Sequence, residues 1–267
     1  MVDENQESIL TKFNPARYWD YILGGHYNFE VDRAAGDKII EVAPDARLGA
    51  LANRSFLRRS VRFLAQQDIH QFIDLGSGIP TVGNVHEIAQ RVNPEAHTIY
   101  VDKDPVAVSH SHSLLKEDPN TFTIEENLLN FSQLIQRKEF TDLINLNKPV
   151  GVLLISVLHF VPDDVQAYGL LKTIHSILPS GSYVVISHFS LENAPQRTIK
   201  KLMSLGKSSS DPSKQRSQLE TERFFEGFKL IEPGVVFVPS WRPEADDELL
   251  VTEPERALSY CGVGLKE

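Results

Sequence analysis

The sequence predicts an α/β protein whose mostly parallel sheet is covered by helices on both faces. From residue 71 onward, short runs of β-branched residues alternate with helical segments, which is typical of a parallel sheet. The chain has 267 residues, enough for one large unit with a substantial core. Its hydrophobic share of 41% and charged share of 24% are ordinary for a globular protein, so we expect the bulk of the chain to fold.

Seven strands and their connecting helices follow from the periodicity. The strands are expected at residues 71–75, 97–102, 121–125, 150–157, 182–189, 229–238 and 258–265, and the helices at residues 81–92, 104–116, 162–177, 193–205 and 217–228. Asp104 and Pro105 fit a helix start, because aspartate caps backbone N–H groups and proline suits the first helical position. The polar run 206–214 is rich in turn-forming residues and is expected to be a mobile loop.

The first 65 residues differ from the rest. They are polar and helical in pattern, and Phe56, Leu57, Val61 and Leu64 lie near one face at helical spacing. We therefore expect a helical N-terminal cap at residues 1–65, on the substrate side of a ligand-binding α/β unit formed by residues 66–267. The two parts are expected to form one compact body.

Charge and cysteine content limit the classes of partner. The formal net charge of −9 argues against a nucleic-acid-binding surface, since phosphate binding relies on clustered Lys and Arg. The lone Cys261 has neither a disulfide partner nor the paired spacing of a zinc site, so no metal is expected. No apolar run approaches the roughly 20 residues of a membrane span, and residues 1–12 lack the apolar core of a signal peptide. We expect a cytoplasmic protein.

The segment 74–78, Asp-Leu-Gly-Ser-Gly, follows the first expected strand. Ligands of open α/β sheets bind beyond the carboxyl ends of the strands, where the chain turns into the next helix. Gly76 and Gly78, on either side of Ser77, lack the β-carbon that keeps a ligand away from the backbone. We expect this loop to contact a cofactor directly. The alternative is a structural turn that Asp74 caps and the glycines make tight.

An acidic residue ends the second expected strand. The carboxylate of Asp102 suits both hydroxyl groups of a ribose, so the ligand is expected to contain a nucleoside, and the adjacent Lys103 is expected to contact it as well. A dinucleotide site usually reads G-x-G-x-x-G, and here the third glycine is displaced to Gly83. Asp74 suits an ammonium group better than a pyrophosphate. These features favour S-adenosylmethionine over a nicotinamide cofactor.

Longer motifs add a resemblance to a known family. They are the segments 14–25 (Asn-Pro-Ala-Arg-Tyr-Trp-Asp-Tyr-Ile-Leu-Gly-Gly), 72–80 (Phe-Ile-Asp-Leu-Gly-Ser-Gly-Ile-Pro), 100–105 (Tyr-Val-Asp-Lys-Asp-Pro) and 157–162 (Val-Leu-His-Phe-Val-Pro), with Asn28-Phe29, Asp32-Arg33 and Asn53-Arg54. Over nearly its whole length the chain resembles bacterial S-adenosyl methyltransferases long catalogued as a domain of unknown function and common in actinobacteria. The resemblance implies a Rossmann-like class I methyltransferase fold, with seven strands and a terminal antiparallel hairpin. It also implies S-adenosyl-L-methionine as cofactor and S-adenosyl-L-homocysteine as product.

The resemblance implies further cofactor residues. Asn127 and Leu128, after the third strand, are expected beside the adenine, and Ser156 and Val157, at the end of the fourth, are expected to face the cofactor. The family often has aspartate at position 127, but asparagine still offers an acceptor to an adenine amino group. The family also often has Lys-Asp at residues 26–27, where this chain has His-Tyr. If that loop lies over the active site, a different substrate is expected.

Three histidines are candidate general bases. Methyl transfer from a sulfonium is an in-line displacement that depends mainly on positioning, so a base is optional, but histidine is suited to take a proton near neutral pH. The first candidate is His159, just past the fourth strand; the second is His26, in the N-terminal loop; the third is His188, at the end of the fifth strand. The alternatives are a histidine that anchors a loop at 159 and a solvent-exposed histidine at 26.

Two side-chain sets of the cap are candidates for substrate contacts. The aromatic set could form a wall for an apolar acceptor or pack as a small core. It consists of Tyr18, Trp19, Tyr21, Tyr27 and Phe29. The basic set could bind an anionic acceptor or the cofactor carboxylate, or it could form a solvated face of ion pairs. It consists of Arg54, Arg58, Arg59 and Arg62.

Three functions remain open from the sequence. The first is an enzyme that methylates a small-molecule acceptor with S-adenosylmethionine, with O-, N- or C-methylation unresolved. The second is a catalytically silent regulatory protein that binds S-adenosylmethionine, and the third is a nicotinamide-dependent oxidoreductase. For the first we expect a small-molecule partner, no nucleic acid or membrane, and a monomer or homodimer.

Overall fold

The structure is a computed structural model that describes residues 11–80, 83–207, 212–244 and 249–267. The helices are α1 (Pro15–Ile22), α2 (Glu30–Val42), α3 (Ala46–Gln66), α4 (Val85–Val92), α5 (Pro105–Leu115), α6 (Phe131–Leu134), α7 (Lys138–Thr141), α8 (Asp164–Ile177), α9 (Gln196–Lys207) and α10 (Gln218–Glu222). The strands are β1 (Gln71–Leu75), β2 (His97–Asp102), β3 (Thr121–Glu125), β4 (Gly151–Ile155), β5 (Tyr183–Phe189), β6 (Lys229–Leu230), β7 (Val236–Phe237) and β8 (Ser259–Leu265).

The strands form one mixed sheet with the order β3-β2-β1-β4-β5-β8-β6, and β7 also pairs with β8. Strands β1 to β5 run parallel, and β8 is antiparallel to β5, β6 and β7. This arrangement confirms the predicted fold class, including the antiparallel end of the sheet. Because the chain order reverses between β1 and β4, the crevice at their carboxyl ends is where an α/β sheet of this kind binds its ligand.

The sixth predicted strand, at residues 229–238, is interrupted. It forms the two short strands β6 and β7, so the described residues contain eight strands rather than the expected seven. Pro233 has no backbone N–H to give to a ladder, and Gly234 has a φ of +85° with its N–H bonded to the carbonyl of Ile231. This turn takes the chain out of the sheet before β7.

Other predicted boundaries differ from the structure by a few residues. The strand expected at 150–157 ends at Ile155, and the helix expected at 217–228 is α10 followed by a 3-10 turn over Arg223–Phe225. Residues 81–82, the expected start of a helix, and residues 208–211 of the loop expected to be mobile at 206–214 lie outside the described residues. None of the helices in the described ranges is long and apolar enough to cross a membrane.

Helix α3 covers one face of the sheet. Its predicted apolar face is confirmed, since Phe56, Leu57, Val61 and Leu64 are each at most 2% exposed and pack in one cluster with Phe72 of β1. Side chains alternate along a strand, so Ile73 and Leu75 enter the core on the opposite face while Asp74 shares the side of Phe72. The acidic residue of the glycine loop therefore points towards α3.

A buried ion pair joins α1 to α2. Arg17 donates from Nε to the carboxylate of Asp32 at 2.7 Å, with 3% and 0% of the two side chains exposed. Asp32 also accepts hydrogen bonds from the backbone N–H groups of Asn14 (2.9 Å) and Phe29 (3.0 Å). These contacts fix the beginning of α1, which lies over the carboxyl edge of the sheet.

Candidate active site

A cavity of about 210 Å³ lies at the carboxyl ends of β1 to β4. All ten residues predicted to contact the cofactor line it, although they come from four separate loops. They are Asp74, Gly76, Ser77, Gly78, Asp102, Lys103, Asn127, Leu128, Ser156 and Val157. The fold therefore brings together the glycine loop, the acidic end of β2 and the residues implied by the family resemblance.

The glycine loop needs its glycines. Gly76 and Gly78 have φ angles of +72° and +65°, in the left-handed region that favours glycine. The backbone N–H groups of Gly76 and Ser77 donate to the carbonyl of Val101 at 2.7 and 3.1 Å, which ties the loop to the end of β2. A β-carbon on Gly76 would lie 2.2 Å from Cγ2 of Val157, so a larger residue would collide with the loop that follows the neighbouring strand β4.

The carboxylate of Asp102 is fixed by two backbone donors. Gly78 donates to Oδ2 at 2.7 Å and Asp104 donates to Oδ1 at 2.9 Å. Burial raises the pKa of Asp102, and the two hydrogen bonds oppose that effect. Each carboxylate oxygen has a further lone pair. The group is thus positioned to accept a pair of ligand hydroxyl groups.

The buried Asp74 and the half-buried Arg54 form a charged region on the α3 side of the cavity. Asp74 is 5% exposed, and burial raises its pKa to about 7; Arg54 opposes this shift and Asp102 adds to it. Burial also lowers the pKa of Arg54, while the charge of Asp74 raises it. An ammonium group beside Asp74 would stabilise the ionised carboxylate, and a ligand carboxylate would suit Arg54.

The chain leaves β4 in an uncommon conformation. Ser156 has a φ of +51°, and its N–H donates to the carbonyl and hydroxyl oxygens of Ser187 at 3.1 and 3.0 Å. Nδ2 of Asn53, from α3, donates to the Ser156 hydroxyl at 3.0 Å. Positive φ values at non-glycine residues are concentrated at functional sites, where the surrounding contacts hold them. Here they set the position of the wall that includes Val157.

Helix α1 forms the roof of the cavity. Its contribution to the lining is Asn14, Pro15, Ala16, Trp19, Asp20 and Leu23. The Asn14 side chain accepts from the N–H groups of Ala16 (2.8 Å) and Arg17 (3.2 Å), which caps α1, and it donates to the carboxylate of Asp104. The helix start is thereby attached next to Asp102.

Three polar atoms of lining residues have no hydrogen-bond partner within the described parts of the chain. They are Oδ1 of Asp20, Oδ1 of Asn53 and Oγ of Ser77, all shielded from solvent. Because these atoms are shielded, the three residues meet the cavity through their other atoms. The charged groups of the cavity wall, on Asp74, Asp102 and Arg54, fit an amino-acid nucleoside better than an apolar molecule.

Most of the predicted substrate wall lies elsewhere. Among the described residues, Trp19 is the member of the aromatic set that lines the cavity. Tyr18 packs against Phe13 and Trp19, and burial raises its pKa. The Tyr21 hydroxyl donates to Asp37 at 2.6 Å. The Phe29 ring lies under the guanidinium of Arg17, within the cap. The Tyr27 ring, 40% exposed, packs against His110 of α5.

The candidate histidine bases do not line the cavity. His26 is exposed. His159 is 6% exposed, and its ring packs against Phe160. Burial holds the pKa of His159 well below the usual range, and the charges of His188 and Arg216 lower it further. Burial lowers the pKa of His188 to about 3, and its Nε2 accepts a hydrogen bond from Arg216 at 3.0 Å. The positions of His159 and His188 suit structural roles.

The arginines of α3 separate into different environments. Arg54 lines the cavity, whereas Arg59 is 4% exposed and donates to the carbonyls of Trp241 (2.8 Å) and Val238 (2.7 Å). Arg58 is exposed and donates to Ser55, and Arg62 pairs with Glu244 at the surface. Only part of this set therefore belongs to the site.

The fold and the cavity define a class I S-adenosylmethionine-dependent methyltransferase. The chain belongs to the S-adenosyl methyltransferase family, whose model matches residues 3–267. Its cofactor is accordingly S-adenosyl-L-methionine. No curated protein matches the chain.

Solved structures agree with this assignment. A proposed methyltransferase from Thermobifida fusca is 34% identical, with 100% of both chains covered and a TM-score of 0.90. A DUF574 family protein from Streptomyces avermitilis is 35% identical over 97% of this chain and 99% of that one, with a TM-score of 0.88. Human N-acetylserotonin methyltransferase, solved with S-adenosylmethionine, is 13% identical over 88% of this chain and 57% of its own, and its TM-score of 0.50 reflects the shared fold.

Sequence reasoning left several lining residues without a role. Asn14, Asp20 and Asn53 lie in the motifs that carry the family resemblance, and Glu126 and Phe160 flank predicted site residues. The sequence did contain a signal for Asn14, Asp20 and Asn53, because they belong to family motifs that lie far from the glycine loop along the chain. Which of them reach the cavity depends on how the cap packs on the sheet.

Proposed function

We propose that this protein transfers the methyl group of S-adenosylmethionine to a small-molecule acceptor inside the cavity, with residues 1–65 as a cap. The observation that supports this most directly is that one cavity is lined by ten residues from the strand ends and by six from α1 and the two residues that flank it. The cofactor, when bound, supplies a methyl group already activated by the positive sulfur. The protein's task is then chiefly to position an acceptor and exclude water.

Each side of the cavity has a proposed role. Asp102 binds the ribose hydroxyls, and Asp74 with Arg54 binds the ammonium and carboxylate of the amino-acid end. Asn127 and Leu128 contact the adenine. The remaining cofactor contacts are proposed for Gly76, Ser77, Gly78, Lys103, Ser156 and Val157.

The enclosure favours a small acceptor. Typical ligand pockets have about 300 to 1,000 Å³, whereas this cavity has about 210 Å³ beneath α1, less than the cofactor and an acceptor need together. Its walls must therefore move apart on binding, and a small acceptor requires the least movement. A polymer segment would require α1 to move away, and the net charge of −9 disfavours nucleic acid. We accordingly propose a cytoplasmic enzyme of small-molecule metabolism that acts without a membrane or nucleic-acid partner.

We also propose that transfer proceeds without a histidine base. His159 is shielded and its pKa is lowered, so it is a weak proton acceptor, and His26 is outside the cavity. Positioning alone is able to supply a barrier reduction of about 7 to 11 kcal/mol. Replacement of His159 by Gln should therefore alter stability more than the pH dependence of the methylation rate.

The proposed function is tested with S-adenosylmethionine carrying a labelled methyl group. The protein is incubated with a cell extract separated into fractions below and above about 1 kDa, and Asp102→Ala is the binding-defective control. Label should enter the small-molecule fraction with the unmodified protein and not with the variant. Label in the macromolecular fraction alone contradicts a small acceptor. Binding of S-adenosylhomocysteine with no labelled product in either fraction supports the regulatory alternative instead.

A further inference from the structure

We propose that Asn53 and Ser187 are positioning residues for methyl transfer. Both hold Ser156 in its uncommon conformation after β4, and through Val157 that conformation determines where the glycine loop lies. This inference rests on the proposed function, because the glycine loop is part of the proposed cofactor site. It assigns a role to two buried polar residues, one on α3 and one on β5, that are distant from the glycine loop along the chain.

Ser156 depends on its surroundings to keep its conformation. Its φ of +51° lies in the left-handed region, which is unfavourable for serine because the β-carbon comes close to the following carbonyl oxygen. The residue is buried, so hydrogen bonds to solvent do not compensate. Other parts of the chain must therefore hold the conformation.

The backbone N–H of Ser156 is held by β5. It donates to the carbonyl oxygen of Ser187 at 3.1 Å and to the Ser187 hydroxyl at 3.0 Å. Ser187 is fully buried and pairs in register with Ile155, the last residue of β4. The position of the Ser156 N–H is thus fixed immediately after the strand ends.

The side chain of Ser156 is held by α3. Nδ2 of Asn53 donates to the Ser156 hydroxyl at 3.0 Å, although the two residues are 103 positions apart in the sequence. Asn53 is 4% exposed, so water competes little for this hydrogen bond. The helix and the neighbouring strand together restrain the N–H and the hydroxyl of one residue, and this combination fixes its backbone dihedral angles.

Val157 connects Ser156 to the glycine loop. It follows Ser156 in the chain and packs so closely on Gly76 that no β-carbon fits between them. The N–H groups of Gly76 and Ser77 in turn donate to the carbonyl of Val101. A rotation of the backbone at Ser156 would move Val157 against this loop or away from it, and the loop would leave its present position.

Asn53 also fixes a neighbouring charged group. The next residue of α3 is Arg54, which lines the cavity and whose charge lowers the pKa of Asp74. The hydrogen bond from Asn53 to Ser156 attaches α3 to the end of β4 at this point. One contact therefore helps to position both the glycine loop and the arginine on the α3 side of the cavity.

The asparagine is not the most stable residue for position 53. Oδ1 of Asn53 is shielded from solvent and receives no hydrogen bond from the residues that the structure describes. A buried acceptor without a donor destabilises the folded state, and leucine has a similar shape without that atom. Asn53 thus provides the Nδ2 hydrogen bond and lowers stability, a combination that is typical of residues that serve a functional site.

The first test is hydrogen exchange of the ligand-free protein, followed by NMR. In Asn53→Leu, the N–H groups of Ser156 and Gly76 should exchange at least about tenfold faster, because their hydrogen bonds open more often. The matched control is Ser60→Ala, which removes a buried hydroxyl of the same helix that donates to Leu57. It should leave both rates unchanged. Unchanged rates in Asn53→Leu overturn the proposal.

The second test measures cofactor affinity and stability in the same two variants. By calorimetry, Asn53→Leu should bind S-adenosylhomocysteine at least about tenfold more weakly, while its urea midpoint stays equal to that of the unmodified protein or rises. Ser60→Ala should keep the full affinity. Retained affinity in Asn53→Leu overturns the proposal. A loss of affinity together with a lower urea midpoint also overturns it, since that is the result of a merely structural role.

The third test separates positioning from direct contact with the ligand. Glycine adopts a positive φ readily, so at position 156 it does not need the restraint from α3. The double variant Asn53→Leu, Ser156→Gly should therefore bind S-adenosylhomocysteine at least about threefold more tightly than Asn53→Leu. If Asn53 acted through direct contact with the cofactor, the glycine would restore nothing. The absence of any recovery overturns the proposal.

The outcomes separate this inference from the proposed function. If S-adenosylhomocysteine fails to bind the unmodified protein, the proposed function fails, and the exchange rates of the ligand-free protein still decide the role of Asn53. If Asn53→Leu does not fold, Ser187→Ala provides a second variant, since it removes one of the two acceptors of the Ser156 N–H. Exchange at Ser156 and Gly76 should then be at least about threefold faster, and unchanged rates overturn the proposal.

Discussion

Gly76 and Val157, which follow the neighbouring strands β1 and β4, pack so closely that a β-carbon on Gly76 would lie 2.2 Å from Cγ2 of Val157. The φ of Gly76 is also positive, at +72°. Gly76→Ala should therefore push the two loops apart, which distorts the cofactor site, and strain the glycine loop by about 1 to 2 kcal/mol. We expect S-adenosylhomocysteine affinity to fall by more than about tenfold, as measured by isothermal titration calorimetry.

The matched control is Gly169→Ala on α8, where an added β-carbon meets no atom within 4 Å. It should leave cofactor affinity unchanged and raise the free energy of unfolding by about 0.5 to 1 kcal/mol. Adding Val157→Ala to Gly76→Ala should restore part of the affinity, because it removes the 2.2 Å contact with Cγ2 and leaves only the 2.9 Å contact with the β-carbon of residue 157. Full cofactor affinity in Gly76→Ala would show that the loop does not contact the ligand as proposed.

The raised pKa of Asp74, about 7, predicts pH-dependent cofactor binding. Pairing with an ammonium requires the ionised carboxylate, so below about pH 7 binding must release a proton. Affinity for S-adenosylhomocysteine should fall by up to about tenfold per pH unit below that value. Calorimetry in buffers of different ionisation enthalpy measures the proton release. A flat affinity from pH 5 to 8, with no proton release, contradicts this role of Asp74.

The same shift affects the stability of the unliganded protein. The pKa of Asp74 in the folded state lies above the unfolded value of 3.8. At pH values between these two pKa values, the folded state therefore binds one proton more than the unfolded state. The stabilisation of the folded state that protonated Asp74 provides is fully present below about pH 4 and is lost as pH rises through about 7. At pH 8, Asp74→Asn should thus raise the free energy of unfolding by about 2 kcal/mol while weakening cofactor binding. Urea denaturation at pH 5 and 8 is the measurement, and a variant less stable at pH 8 contradicts the assignment.

Arg216 fixes the turn that follows β4. Its guanidinium is fully buried and donates to the carbonyls of Leu158 (3.2 Å) and Val161 (2.9 Å), to His188 and to the carboxylate of Asp164. Arg216→Met should lower the free energy of unfolding by about 3 kcal/mol, since these buried acceptors lose their donor.

Urea denaturation checks this prediction. Arg223→Met is the control, because that side chain is 58% exposed and should change stability by less than about 0.5 kcal/mol. Equal stability of the two variants would show that the Arg216 network does not hold the turn.

The buried pair of Arg17 and Asp32 predicts that the cap controls cofactor release. Asn14 starts α1 and bonds both Asp32 and Asp104, so a loosened cap should expose the cavity. Asp32→Asn should raise the dissociation rate of S-adenosylhomocysteine by about tenfold, consistent with the loss of a buried charge pair. Stopped-flow displacement measures the rate. An unchanged rate, with Asp37→Asn also unchanged, would mean that α1 does not retain the ligand.

The strand-end half of the site was predictable from the sequence because its signals are local. Gly76, Gly78 and Asp102 occupy positions that the βαβ pattern itself places at one edge of the sheet. The fold class followed from the same alternation of strands and helices. The interruption of the sixth strand was also signalled locally, by Pro233 and Gly234, which the strand prediction passed over.

The half of the site that the N-terminal cap contributes depends on packing that no local sequence pattern specifies. The side of α1 that faces the cavity is set by the Arg17–Asp32 pair and by the Asn14 contact with Asp104, 90 residues away. As a result Trp19 reaches the cavity and its neighbours Tyr18 and Tyr21 do not. His159 was placed near the sheet edge by its sequence position, but the turn that Arg216 holds directs it into the core.

Binding of S-adenosylhomocysteine to Asp102→Asn tests the central claim most directly. The structure places this carboxylate at the end of β2, where Gly78 and Asp104 orient it, and we propose that it binds the ribose. By calorimetry, the unmodified protein and Asp142→Asn, a surface variant with 60% of the native side chain exposed, should bind with equal affinity. Asp102→Asn should bind about 10- to 100-fold more weakly. Equal affinity in all three proteins, or no binding by the unmodified protein, would contradict the account.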